Sequence, residues 1–126
     1  MEAAKTFASL SKAKRRQVGA ILVTSNGVMI PGVNGTFPGH DNTCETAEGF
    51  TVPEVIHAEM NALSKACREG VSTKGAVLYT TLSPCIECAK MIAMAGVSRV
   101  VYMDKYRDFT GIDYLHSCHV DTEQLL

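Results

Sequence analysis

The sequence predicts an α/β fold, a mixed sheet of four to five strands sandwiched between helices in three layers. Three observations carry this reading. Two apolar, β-rich runs flank Ser25-Asn26-Gly27, and Asn-Gly between such runs signals a hairpin. Beyond Pro53 the apolar spacing alternates between helical and strand-like, the pattern of crossover units laid over a sheet. At 126 residues the chain has room for one sizeable core and not two, so it reads as a single domain over residues 1–126.

Each element follows from local chemistry. Phe7, Leu10 and the flanking Ala3 and Lys14 have helical spacing, predicting a helix over 2–14. The hairpin strands fall at about 17–24 and 28–33. Residues 34–53 hold three glycines and two prolines among Asn, Asp and Thr, which predicts a long loop of the kind that tends to be functional. From Glu54, the positions of Val55, Ala58, Ala62, Leu63 and Ala66 predict a helix that Gly70 ends. GAVLYTTL is a strand, and Ser83-Pro84 supplies a cap residue and a first-turn proline for a helix reaching Gly96. SRVVYMD is the next strand, followed by a weaker helix at about 112–118 and a short edge strand in the last residues. Right-handed parallel crossovers should join the later strands.

Composition narrows the function. Twelve basic side chains against thirteen acidic ones give a net charge of −1, whereas domains that bind polynucleotides carry a basic excess. The basic cluster KAKRRQ, residues 12–17, reads as a solvated helix face. No apolar run approaches the ~20 residues of a membrane span, and the N-terminus lacks a secretory apolar region. A cytoplasmic location is expected, where thiols stay reduced. The five cysteines are an odd number with one close pair, which argues against a disulfide framework.

That close pair, Cys85 and Cys88, lies at a helix start, where three-residue spacing puts both sulfurs on one face and the unsatisfied N–H groups favour thiolate. Taken alone, it suits a redox pair as well as a metal pair. The second element is IHAEMNAL, residues 56–63. His57 supplies a third ligand and Glu59 an acid that is not a ligand; behind Pro53, both can reach an ion lying off the helix N-terminus. Alone, a histidine there reads as a surface or capping residue, and a helical glutamate as solvated. No second cysteine pair or His-x-His closes a structural tetrahedron, and one His with two Cys leaves a fourth position for water, the mark of catalytic zinc. Together, His-Ala-Glu followed by Pro-Cys-x-x-Cys is the signature of zinc deaminases, with Glu59 as general acid and base.

From about Val18 to Tyr106 the chain resembles the cytidine and deoxycytidylate deaminase family. VGAILV is similar to the family's first strand, NGTFPGHDNTCE to its long substrate loop, IHAEMNAL to its zinc helix, and LYTTLSPCIECAKMIAMAGVSRVVY to its second zinc segment and next strand. Thr-Leu-Ser-Pro-Cys and the Cys44-Glu45 of the loop favour the deoxycytidylate branch. The resemblance implies the cytidine deaminase-like sandwich and hydrolysis of dCMP to dUMP and ammonia. It implies zinc on His57, Cys85 and Cys88, with Glu59 moving the protons. It also implies substrate contacts from Asn34 and Tyr106, a homo-oligomer with a hexamer favoured, and an intersubunit or regulatory role for Arg68. Read without the family, Asn34 is a turn residue, Arg68 a charge at a helix C-terminus and Tyr106 a packing residue. Lys105, Arg107 and His40 are candidate phosphate contacts that read equally as solvated surface.

Three departures stand out. The family's usual Gly-Tyr-Asn-Gly is Gly32-Val33-Asn34-Gly35 here, and the missing tyrosine is the one tied to the effectors dCTP and dTTP, which puts that regulation in question. Phe37 stands where proline is usual. Cys44 lacks the partners that give some relatives a second, structural zinc, so one zinc per chain is expected. Other substrates of the same chemistry are dCTP, cytidine and adenosine in tRNA, the last disfavoured by the charge balance. A silent nucleotide-binding zinc domain is the alternative from another class, and the presence of Glu59 argues against it.

Overall fold

The computed structural model of the chain describes residues 1–125. Its elements are α1 (Glu2–Ala8), β1 (Gly19–Val23), β2 (Met29–Val33), α2 (Ala58–Arg68), β3 (Val77–Leu82), α3 (Ile86–Met94), β4 (Arg99–Asp104), α4 (Thr110–Ser117) and β5 (Asp121–Gln124). The strands form one five-stranded sheet in the order β2-β1-β3-β4-β5. β1 runs antiparallel to both β2 and β3, while β3, β4 and β5 are parallel, so the sheet is mixed as the sequence predicts.

Two glycines show how the layers are stacked. Ala20 lies opposite Gly32 and Gly19 opposite Val33, so Gly19 and Gly32 point to opposite faces of the sheet. A Cβ at Gly19 would strike the backbone of Ala4 and Ala8, and one at Gly32 the Ala58 carbonyl and Ala62. α1 therefore lies on one face and α2 on the other, each in backbone contact that only glycine permits. On the α2 face, Leu22, Leu78 and Val100 stand in register across three strands. They pack with Ala62, Ala66, Ile92 and Leu115 from the helices into the main core.

Several boundaries differ from the sequence reading. α1 ends at Ala8 and does not reach Lys14. The buried Ser11 leaves the helix path to donate its hydroxyl to the Asn34 carbonyl at 2.9 Å and accept the Ala13 N–H at 3.1 Å. KAKRRQ is thus irregular chain and not a helix face. The helix expected from Glu54 begins at Ala58, because Gly35 and Ile56 exchange backbone hydrogen bonds of 3.0 and 2.7 Å that hold the approach extended. α3 starts one residue after Cys85, so Ser83 is not its cap. The hairpin strands are shorter than 17–24 and 28–33. Their turn closes through Thr24, with Gly27 at φ 89°. Among the described residues no helix is long and apolar enough to cross a membrane.

Candidate active site

His57 and Cys85 occupy equivalent places, each the N-cap of a helix with extended backbone: φ −68°, ψ 154° for His57 and φ −71°, ψ 170° for Cys85. Neither cap side chain turns back to its own helix; both point into the space between α2 and α3. Cys88 joins them from the first turn of α3. Its sulfur lies 3.4 Å from His57 Nδ1, and the Cys85 sulfur lies 3.6 Å from the same atom. All three donor atoms fall within 4.8 Å of one another. Zinc bonds of ~2.3 Å to sulfur and ~2.0 Å to nitrogen in a tetrahedron separate the two ligand atoms by roughly 3.6 Å. The observed spacings match that edge, so the donor set fits zinc and leaves one coordination position open.

Electrostatics favours the same occupant. Cys85 is pushed down to about 4 by the neighbouring Cys88 thiol and by His57. Cys88 is pushed up by its bond to Cys85 and by burial, so one proton stays with the pair. The Cys85 thiol raises His57 above its ordinary value, with burial opposing. Glu59, in the first turn of α2, is only 5% exposed, and burial raises its carboxyl from 4.5 to about 7. A carboxyl that titrates near neutrality can both take and return a proton at cellular pH.

His57, Glu59 and Cys85 open onto a cavity of about 210 Å³, which Asn34 and Tyr106 also line. The Asn34 amide is engaged with backbone on the far side of the hairpin. Its Oδ1 accepts the Val18 N–H at 2.9 Å and its Nδ2 donates to the Arg16 carbonyl at 2.8 Å. Tyr106 is half-buried, and its N–H donates to Ser83 Oγ at 2.5 Å, which ties the segment after β4 to the residue preceding Pro84-Cys85. Arg68 lies elsewhere, exposed at the end of α2 and paired with Glu69. Lys105, Arg107 and His40 do not line the cavity: Lys105 sits over Phe109, Arg107 near the Tyr106 ring, and His40 against Phe37. Cys44 borders the cavity with its thiol donated to the Asn42 carbonyl, apart from the metal donors. The cations that line it are Arg15 and Arg16, with Glu45 beside them. Sequence reasoning passes over these three because their placement comes from contacts across about thirty residues of chain, which leave no periodicity.

Comparison with known proteins agrees with this geometry. The model of the cytidine and deoxycytidylate deaminase zinc-binding region matches residues 1–104. ComE operon protein 2 of Bacillus subtilis (strain 168) is 37% identical over 101 residues, covering 77% of this chain and 53% of that protein. Human deoxycytidylate deaminase is 38% identical over 117 residues, covering 86% of this chain and 65% of the relative, so the chain spans about half to two thirds of these two proteins' lengths. The crystal structure of dCMP deaminase from the cyanophage S-TIM5, in complex with dCMP and dUMP, superposes with a TM-score of 0.94 at 45% identity. It covers 98% of this chain and 92% of the phage chain. With a family match over most of its length and donors spaced for the metal that the family binds, the chain belongs to the cytidine and deoxycytidylate deaminase zinc-binding family.

Proposed function

We propose that this protein, as one domain over residues 1–126, hydrolyses dCMP to dUMP and ammonia, at the step that supplies the precursor of thymidylate. The observation that carries the reading is the 0.94 TM-score to a phage dCMP deaminase bound to dCMP and dUMP, at 45% identity over nearly the whole chain. His57, Cys85 and Cys88 would hold the zinc, whose contribution when bound is a Lewis acid that makes water nucleophilic near neutral pH. Glu59 would accept a proton from the water that adds to C4 of the cytosine ring. It would then deliver protons to N3 and to the departing amino group, which leaves as ammonia. With its low exposure, Glu59 is also shielded from competing exchange with bulk water.

Asn34 and Tyr106 are proposed as substrate contacts, Asn34 through the second N–H of an amide whose other groups are already committed to backbone. Arg68 is proposed to act at a neighbouring subunit of a homo-oligomer, for which a hexamer is favoured, and its exposure at the end of α2 suits such a role. With Val33 in place of tyrosine, control by dCTP and dTTP is expected to be altered. A cytoplasmic setting is consistent with a metal site built on reduced thiols. The test is ammonia release from cytosine, deoxycytidine, dCMP, CMP and dCTP, each with and without dCTP and dTTP as effectors. Preference for dCMP supports the proposal. Release from none of these substrates refutes it in favour of a silent zinc domain.

A further inference from the structure

The depth of the cavity has a direction. At its floor lies Glu59, 5% exposed; at its rim lie the exposed Arg15 and Arg16. The two guanidinium groups are not equivalent. Arg16 is paired with Asp104, whereas Arg15 has no carboxylate partner among the described residues. The chain that carries Arg15 is irregular but pinned. Glu45 Oε2 accepts the N–H groups of Lys14 at 2.9 Å and Arg15 at 3.1 Å, and the Gln17 amide donates to the Ser11 carbonyl at 2.9 Å. The Ser11 hydroxyl closes onto Asn34. A long cation on a fixed backbone, at the open end of a cavity whose floor does proton chemistry, is placed to meet an anionic group at the far end of the ligand.

We propose that Arg15 binds the 5′-phosphate of the nucleotide and so makes this protein prefer a nucleotide to the corresponding nucleoside. The inference rests on the reading of the floor as a cytosine deaminase site and adds the element that selects among cytosine compounds. The chemistry suits the partner: a planar guanidinium offers a phosphate two parallel N–H donors and holds its charge at every working pH. Glu45 is the acid beside it on the rim, and its Oε2 is occupied by two backbone amides. Arg15 is a binding residue and takes no part in the proton transfers. Its removal should raise KM more than it lowers kcat.

The experiment compares dCMP with deoxycytidine as substrates, and dUMP with deoxyuridine by isothermal titration calorimetry, for the zinc-loaded wild type, Arg15→Ala and Arg15→Lys. Arg15→Ala is expected to reduce the ratio of kcat/KM for dCMP over deoxycytidine roughly ten- to a hundredfold. It should weaken dUMP by a similar factor and deoxyuridine by far less. Arg15→Lys, which keeps the charge and loses the fork, should retain part of the preference. An Arg15→Ala protein with the wild-type preference and wild-type dUMP affinity overturns the proposal. Failure of the deaminase reading looks different. Wild type would then release ammonia from neither substrate, while an Arg15-dependent difference between dUMP and deoxyuridine would still uphold the phosphate site and its absence would overturn it.

Discussion

Gly111 tests whether the metal site is placed by packing from a remote helix. It lies in the first turn of α4, where alanine would ordinarily gain about 1 kcal/mol in helix propensity. Here the added Cβ would overlap the Pro84 carbonyl and sit 2.9 Å from the carbonyl carbon of Cys85 and 3.0 Å from its oxygen. Ordinary carbon contacts begin near ~3.5 Å, so Cys85 must retreat by about half an ångström and Pro84 by more. Metal ligands tolerate displacements of only about 0.2 Å. Gly111→Ala should therefore weaken zinc tenfold or more in a chelator competition, and overpacking should cost about 1–3 kcal/mol in thermal unfolding in spite of the better propensity. Gly27→Ala is the control. Its φ of 89° is strained for alanine, but nothing lies within 4 Å of the new atom. It should lose about 1–2 kcal/mol and leave zinc affinity unchanged. Wild-type zinc affinity in Gly111→Ala would refute the claim that α4 positions Cys85.

Other outcomes follow from the same geometry. Glu59→Gln should keep its zinc in metal analysis while ammonia release falls by roughly 10²–10⁴. In the metal-free protein the same variant should be more stable than wild type above pH 7. A carboxyl raised from 4.5 to about 7 on folding gives stability that is present below pH 4.5 and lost as pH rises through 7, a difference of roughly 3 kcal/mol that chemical denaturation at pH 4 and pH 8 would reveal. Zinc affinity should rise between tenfold and a hundredfold per pH unit near neutrality. Cys88 keeps its proton and His57 part of one in the metal-free site, whereas Cys85 is already thiolate above about pH 4. Competition titrations from pH 6 to 8 measure that slope, and a flat response contradicts it. Asn34→Ala removes two hydrogen bonds to the Arg16–Val18 backbone and should cost about 1–3 kcal/mol in urea unfolding even with no nucleotide present.

What was legible in the sequence was whatever depends on neighbours along the chain. Asn26-Gly27 between apolar runs marks the hairpin, and the helix–strand alternation marks the parallel β3–β4–β5 region. The metal donors were legible too, because catalytic zinc needs particular residue types at particular spacings wherever they lie. The misses share a cause. α1 was expected to run to Lys14, but a hydroxyl bond from Ser11 to Asn34 and a carboxylate from Glu45 draw residues 11–15 into the cavity wall. α2 was expected from Glu54, but pairing of Ile56 with Gly35 keeps that approach extended and makes His57 a cap residue. In both places a tertiary hydrogen bond overrides helical spacing, and both lie on the site. The rim cations were hidden for the same reason, since a basic run carries no mark of which arginine will be paired and which left facing a cavity.

Both halves of the donor set rest on backbone contacts made elsewhere in the fold. Gly32 lets β2 approach the Ala58 carbonyl, one residue past His57, and Gly111 lets α4 approach Pro84 and Cys85. Asn61 adds a clamp by accepting the Val33 N–H at 3.1 Å, which fixes α2 against β2 four residues beyond His57. None of these contacts involves the metal. The buried core of Leu22, Leu78, Ile92, Val100 and Leu115 likewise owes it nothing, unlike small zinc domains that unfold without their ion. Stripping the zinc should therefore leave far-UV circular dichroism and a single cooperative unfolding transition intact. Zinc in excess should then raise the melting temperature by simple mass action, with no gain in secondary structure. Loss of the helical signal on chelation would mean that the ion, and not the glycine contacts, brings α2 and α3 together.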